Sequence, residues 1–173
     1  CGGVIHYLSK SLNESVGTPL SGFRYPFFVI PTPLMVSSRR LRDQMINEPE
    51  VKKIMEMAKV ANIAIVGIGS LMPNSEFIRF GYSNKRELSF LKKRGAVGEM
   101  HGEYFNAEGE PLELEHTQRL ITTRIETLRN MKHVIGVAGG KEKIDAIAAA
   151  LRGKIIHSLI TDEMTAQSLT TDL

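Results

Sequence analysis

The residues with the clearest chemical promise are Gly139 and Gly140, followed by Lys141 and Lys143, in the stretch "VIGVAGGKEKIDAIAAAL" (134–151). An apolar run ends at Ala138, and Ile144, Ile147, Ala148 and Leu151 then recur at the spacing of a helical stripe. The glycines therefore fall between the carboxyl end of a strand and the amino end of a helix. Backbone N–H groups at such a place lack intrahelical acceptors and sit at the positive end of the helix dipole, so the turn attracts an anion. Lys141 and Lys143 add formal positive charge, and phosphate is the natural occupant. A glycine pair after a strand also serves merely to reverse the chain, so the motif alone leaves both uses open. A second turn of the same kind ends "IAIVGIGSL" (63–71) with Gly67, Gly69 and Ser70. In open α/β sheets ligands collect outside the carboxyl ends of neighbouring strands, and two such turns would wall one crevice. The Gly-x-Gly-Ser spacing lacks the third glycine of a dinucleotide fingerprint, which argues against a nucleotide oxidoreductase.

Positioning these turns requires strands that alternate with helices. "FFVIP" (27–31), "IAIVGIG" (63–69), "VIGVA" (134–138) and "IIHSLI" (155–160) are continuous apolar runs, the pattern of parallel strands covered on both faces. Pro49 suits a first helical turn, and Val51, Ile54, Met55, Ala58 and Ala61 follow at helical spacing. Asn84 with Glu87, and Thr123 with Glu126, have the form of capping boxes. In "EYFNAEGEPLEL" (103–114) a Glu-Gly turn at 108–109 predicts a β-hairpin inserted into the parallel pattern. The expectation is one α/β domain, a Rossmann-like, mostly parallel sheet flanked by helices with a small hairpin insertion.

Composition bounds the partners. The chain has 173 residues, 42% hydrophobic and 24% charged, enough for one globular core. Its net charge of +3 is spread among 19 acidic residues with no basic stripe, so this segment is not expected to bind nucleic acid. A single cysteine, Cys1, permits no internal disulfide and no Cys-based zinc site, which fits a reducing cytoplasm. No apolar run approaches the roughly 18 residues of a membrane span, and no secretory signal pattern opens the chain. Neither a metal nor a cofactor is expected.

Four stretches, taken in order and spacing, carry a family resemblance: "PTPLMVSS" (31–38), "EPEVKKIMEMAKVANIAIVGIGS" (48–70), "GAVGEMHGEYFNAEG" (95–109) and "VIGVAGGKEKIDAIAAALRGKIIHSLITDEMTAQSL" (134–169). The chain resembles the effector-binding domain of the SorC/DeoR-type bacterial transcriptional regulators over nearly its whole length. That resemblance implies the fold of the sugar-phosphate isomerases and deaminases, a phosphorylated sugar as ligand, and control of operator binding by an N-terminal helix-turn-helix domain. It also implies assembly as a homodimer or homotetramer, for which Met45, Met55 and Met57 are candidates, although core packing is the plainer use of methionine. Residue by residue, Glu99 matches an acidic position that accepts sugar hydroxyls, and Arg79 falls near an arginine that contacts phosphate. Lys143, Gly139 and Gly140 fill the "GGxxK" pattern, and Gly67, Gly69 and Ser70 match the turn that walls the pocket. Asp162 and Glu163 follow Thr161, which reads as a helix cap.

Departures from the family pattern stand at Asn62, where relatives often carry aspartate, and at Glu103, where an arginine or aromatic residue is usual. "CGG" at 1–3 resembles the end of the family's second strand, and the stretch between Asn13 and Phe23 is shorter than the family's helix there. The domain is thus expected to begin upstream of Cys1, with the DNA-binding domain outside this chain. An isomerase or deaminase of the same superfamily is the competing expectation, since Glu99 could serve an acid-base step. The histidines His6, His101, His116, His133 and His157 form no evident pair with a carboxylate, although His101 lies two residues from Glu99.

Overall fold

The computed structural model describes residues 28–73 and 84–172. In chain order these form α1 (Arg39–Ile46), α2 (Pro49–Lys59), β1 (Ile63–Gly67), β2 (Gly69–Ser70), α3 (Lys85–Lys93), β3 (Gly98–Met100) and β4 (Glu103–Phe105). A 3-10 turn (Glu115–Arg119), α4 (Ile125–Arg129), β5 (His133–Val137), a second 3-10 turn (Lys141–Lys143), α5 (Ile144–Arg152), β6 (Ser158–Ile160) and α6 (Glu163–Asp172) complete them. The parallel sheet has the order β1-β5-β6, with Ile63 opposite His133, Gly67 opposite Val137 and Val137 opposite Ile160. An antiparallel sheet, β2-β3-β4, continues directly from the end of β1.

Period-2 alternation decides which strand residues reach the core. Val66 and Val134 pack with Ile68, Met100, Phe105, Ile125, Leu128 and the alanine-rich face of α5. Short alanine side chains at 146 and 148–150 let α5 lie close to the strands, and Ile147 is fully buried among them. Burying a side chain such as Ile147 or Phe105 stabilises the fold by roughly 1.5–3 kcal/mol. The other face of the sheet departs from the expected two-sided burial. Ile63, Ile65 and Ile160 are 60%, 70% and 58% exposed among the described residues. A smaller cluster of Val36, Val51 and Ile121 holds α1 and α2 against the 120–121 segment.

Several local expectations shift. Phe28 to Pro31 form no strand, and Phe27 lies outside the described residues. Thr32 donates its N–H back to the Ile30 carbonyl at 2.8 Å, turning the chain before any ladder begins. The main hairpin joins β3 to β4 through His101 and Gly102, not the Glu108–Gly109 turn. That later turn exists, with Gly109 at φ +80°, but beyond it only a single bridge pairs Phe105 with Pro111. Asn84 caps α3 through Oδ1, which accepts the N–H groups of Arg86 and Glu87, both at 3.0 Å. The Thr123–Glu126 box does not form. Instead the Glu103 carboxylate, 1% exposed, accepts the Ile125 N–H at 2.6 Å from across the fold and stands 2.6 Å from Arg124 Nε. Burial pushes the Glu103 pKa up, against the opposing pull of that N–H and of Arg124.

The β3–β4 turn is held from several sides. Gly102 donates its N–H to Glu99 Oε1 at 2.6 Å, and its carbonyl lies 3.2 Å from His116 Nε2. His101 adopts φ +55°, left-handed for a residue with a side chain, and its Nδ1 lies 3.1 Å from the Thr123 carbonyl. Because carbonyls only accept, both rings carry a proton on the bonded nitrogen. Burial lowers the pKa of His116 and pushes that of His101 down to about 4.

Ile147→Ala should lower unfolding free energy by about 2–4 kcal/mol in chemical denaturation, since the cavity is ringed by helix and sheet and cannot close. A second expectation concerns pH. In the unfolded chain the His101 imidazole takes up a proton near its ordinary pKa of 6.5, whereas in the folded protein it does so only near 4. The folded state therefore binds fewer protons in this window, and stability falls as pH drops through it, by about 2–3 kcal/mol at pH 4.5. Glu103 works in the opposite sense, its protonated form being favoured by folding. A His101→Asn variant, which tolerates the left-handed backbone, should lose the His101 component. Identical stability changes between pH 7 and 4.5 in both proteins would remove His101 from the account.

Candidate functional site

The parallel register of β1 and β5 brings their carboxyl ends side by side, since Gly67 is paired with Val137. From Gly67 the chain runs through Ile68 into β2, where Gly69 lies opposite Glu99 and Ser70 opposite Gly98. β2 in turn abuts the Lys141–Lys143 turn that follows β5. Gly67, Gly69, Ser70, Glu99 and Lys143 thus share one end of the parallel sheet, with Gly139 and Gly140 in the adjoining turn. Arg79 lies outside the described residues, as do Cys1, Gly2, Gly3 and His6.

Glycine at 69 has a local cause. A Cβ there would stand 2.5 Å from Glu99 Oε2, so the missing side chain makes room for the carboxylate. Glu99 is 8% exposed and fixed through Oε1 by the Gly102 N–H, which leaves Oε2 lying over the Gly69 backbone. A carboxylate held in this way is an acceptor set for hydroxyl donors. Its neighbouring histidines are committed elsewhere: His101 to the Thr123 carbonyl, and His116 to the Gly102 carbonyl with Glu87 Oε1 at a loose 3.9 Å from its other nitrogen. At the far end of the sheet His157 Nδ1 accepts the Val134 N–H at 3.0 Å, and His133 Nε2 lies 3.1 Å from Ser158 Oγ.

The Gly139–Gly140 turn is already occupied by an internal anion. Gly140, at φ +101°, donates its N–H to Thr165 Oγ1 at 2.8 Å and to Asp162 Oδ2 at 3.1 Å. Asp162 also caps α6, its Oδ1 accepting the Thr165 N–H at 2.9 Å and its Oδ2 accepting the Thr165 hydroxyl at 2.7 Å. The cap expected at Thr161 is therefore supplied one residue later. Asp162 bonds both its own helix and the preceding strand turn, a long-range contact with no local sequence signal. Hydrogen bonds from Thr165 and Gly140 hold its carboxyl below the ordinary aspartate range, so it is ionised at neutral pH. Any phosphate reaching the Gly140 amide must replace one anion by another. Lys143 is half-buried and Lys141 exposed beside this turn, with the Glu142 carboxylate also close to Gly140.

Among the described residues no group of three or more His, Cys, Asp and Glu side chains is placed to hold a metal ion, and no helix is long and apolar enough to cross a membrane.

Comparisons with known proteins identify the family. Residues 2–171 match the model of the Sugar-bind family, a sugar-binding domain. The transcriptional regulator LsrR of Enterobacter sp. (strain 638) is 38% identical over 144 residues, 82% of this chain and 45% of that protein. The deoxyribonucleoside regulator of Bacillus subtilis (strain 168) is 33% identical over 173 residues, 99% of this chain and 55% of that protein. A DeoR family transcriptional regulator from Listeria monocytogenes shares the fold with a TM-score of 0.78 at 24% identity, over 82% of this chain and 57% of that one. The chain spans about half the length of the relatives it matches. With a parallel sheet flanked by helices, a family match over nearly every residue and these relatives, the chain belongs to the sugar-binding domain family of the SorC/DeoR transcriptional regulators.

Proposed function

We propose that this domain senses a phosphorylated sugar for a bacterial transcriptional regulator, holding the ligand at the carboxyl ends of β1 and β5. The observation that carries this reading is the convergence of Gly69, Glu99 and the Lys141–Lys143 turn at one end of the parallel sheet. Sugar hydroxyls donate to Glu99 Oε2, the oxygen that the Gly102 N–H leaves free, and the Gly67, Gly69 and Ser70 backbone forms the wall beside them. The phosphate is met by Lys143, with Gly139 and Gly140 supplying backbone amides once Asp162 yields, and Arg79 completes the anion contacts. A cationic amine beside oriented N–H groups suits such a group.

In the whole protein, effector binding changes how a helix-turn-helix domain outside this chain holds its operator, in a homodimer or homotetramer within the cytoplasm. The relatives' roles as transcriptional regulators support this assignment. Binding proceeds without turnover. Acid-base chemistry on a sugar needs a titratable partner within reach of the carboxylate, and the two histidines nearest Glu99 in sequence are bonded to backbone carbonyls.

A thermal-shift screen of the full-length protein should single out phosphorylated sugars, because a ligand that prefers the native state raises the melting temperature by mass action. Lys143→Ala should then weaken phosphosugar binding in calorimetry by about 1.5–3 kcal/mol, the loss of a charge-assisted hydrogen bond; full affinity in the variant removes Lys143 from the site. Glu99→Gln should harm binding of hydroxyl-rich ligands more than of inorganic phosphate. Sustained product formation from any phosphosugar would overturn the sensor reading in favour of an isomerase or deaminase.

A further inference from the structure

A cleft of about 250 Å³ lies between α1, α2 and the 120–127 segment and shares no lining residue with the strand-end crevice. Arg42, Lys52, Lys59 and Arg124 line it with Thr123 and Thr127, over an apolar floor that includes Met55 and Ile121. Glu56 is the one carboxylate on its wall, and it is spoken for by Lys59 at 2.8 Å. Lys52, exposed on α2, makes no salt bridge within 4.0 Å among the described residues, and its charge adds to that of Lys59 in lowering the Glu56 pKa. Arg42 is oriented by the Asp43 carboxylate at 2.7 Å and by the Leu120 carbonyl at 3.4 Å.

The opposite wall is built from behind. Buried Glu103 fixes Arg124 through Nε, and the Thr117 carbonyl takes one terminal nitrogen at 3.3 Å, while 36% of the side chain stays exposed. His101, in its left-handed conformation, holds the Thr123 carbonyl. A buried carboxylate in β4 and a left-handed histidine in the β3–β4 turn thus hold two consecutive residues, Thr123 and Arg124, of the segment that lines the cleft. Strain and buried charge are retained where surrounding structure holds them for a purpose, and neither Glu103 nor His101 serves the strand-end site.

We infer that this cleft is a second anion site, selective for a phosphate group whether free or carried on a small ester. Guanidinium forks and hydroxyls around one hollow match the several acceptor oxygens of phosphate, and the cleft is too small for a nucleotide. The inference does not rest on the strand-end reading. The β3–β4 turn, carrying Glu99 at one end and the supports of Thr123 and Arg124 at the other, joins the two places by five residues, 99–103.

The test uses the full-length protein carrying Lys143→Ala, titrated calorimetrically with inorganic phosphate, glycerol phosphate and glycerol. Saturable binding of phosphate or of its ester, with none of glycerol, is expected, and tighter binding of the ester identifies a phosphometabolite as the ligand. Adding Lys52→Glu should weaken that binding at least tenfold, with Lys52→Arg restoring most of it and circular dichroism unchanged in both. Absence of saturable binding in the Lys143→Ala protein overturns the inference, as does phosphate affinity indifferent to Lys52→Glu. Failure of the strand-end site would register separately, as phosphosugar affinity unaltered by Lys143→Ala but lost with Lys52→Glu.

Discussion

The parallel pairing of Ile63–Gly67 with His133–Val137 is the constraint on which the functional geometry depends. Parallel hydrogen bonding fixes both strands in direction, so both must release their chains at the same end of the sheet. Glycine-rich turns placed after each strand then have no choice but to be neighbours. A slip of one residue would carry Val66 and Val134 out of the core and exchange them for Ile65 and Ile135, exposing the strands' other face to α5. The hydrophobic pattern that buries Val66 and Val134 against α5 therefore also sets where Gly67, Gly139 and Gly140 stand.

Beside that sheet, the β3–β4 hairpin turns a packing problem into a source of order. Its turn buries Glu103 and the rings of two histidines in a region where unpaired polar groups are expensive. The expense is met by long-range partners: Glu103 takes the first N–H of α4 and the Arg124 guanidinium, His101 takes the Thr123 carbonyl, and His116 takes the Gly102 carbonyl. Each of these pairs joins the hairpin to the 114–125 region, so the two segments fix one another. Glu99 gains its orientation from the same turn, through the Gly102 N–H.

Much of this was legible in the sequence, because the signals were local or periodic. The runs at 63–69 and 134–138, the Pro49 helix start, the Asn84 cap and the alanine-rich helix at 144–152 all depend on neighbours within a few residues. What sequence reasoning misplaced depends on partners far along the chain. Thr123 has the form of a cap, yet a carboxylate 22 residues away claims the Ile125 N–H. Thr161 reads as the cap of α6, yet Asp162 is the residue that can reach both Thr165 and Gly140. "FFVIP" has strand composition, yet residues 28–31 find no strand to pair with, and Pro31 has no N–H to offer one. The roles of Glu103 and His101 had a faint signal: an acidic residue where the family carries other types, and a histidine next to a glycine in a tight turn.

Asp162 belongs to two structures at once. Its carboxylate is the cap of α6 and the acceptor for the Gly140 amide, so the turn beside Lys143 and the start of α6 share one anion. A ligand phosphate placed at Gly140 would face that carboxylate at close range in a site where like charges repel. Relief requires Asp162 to leave the amide. Thr165, 2% exposed, is bonded to both partners and holds the present arrangement together. In the proposed site the first turn of α6 would then lose an acceptor as the Gly139–Gly140 turn gained a ligand oxygen, so anion binding would bias the balance between the two arrangements. Whatever reaches the turn, a single side chain joins the ends of β5 and β6.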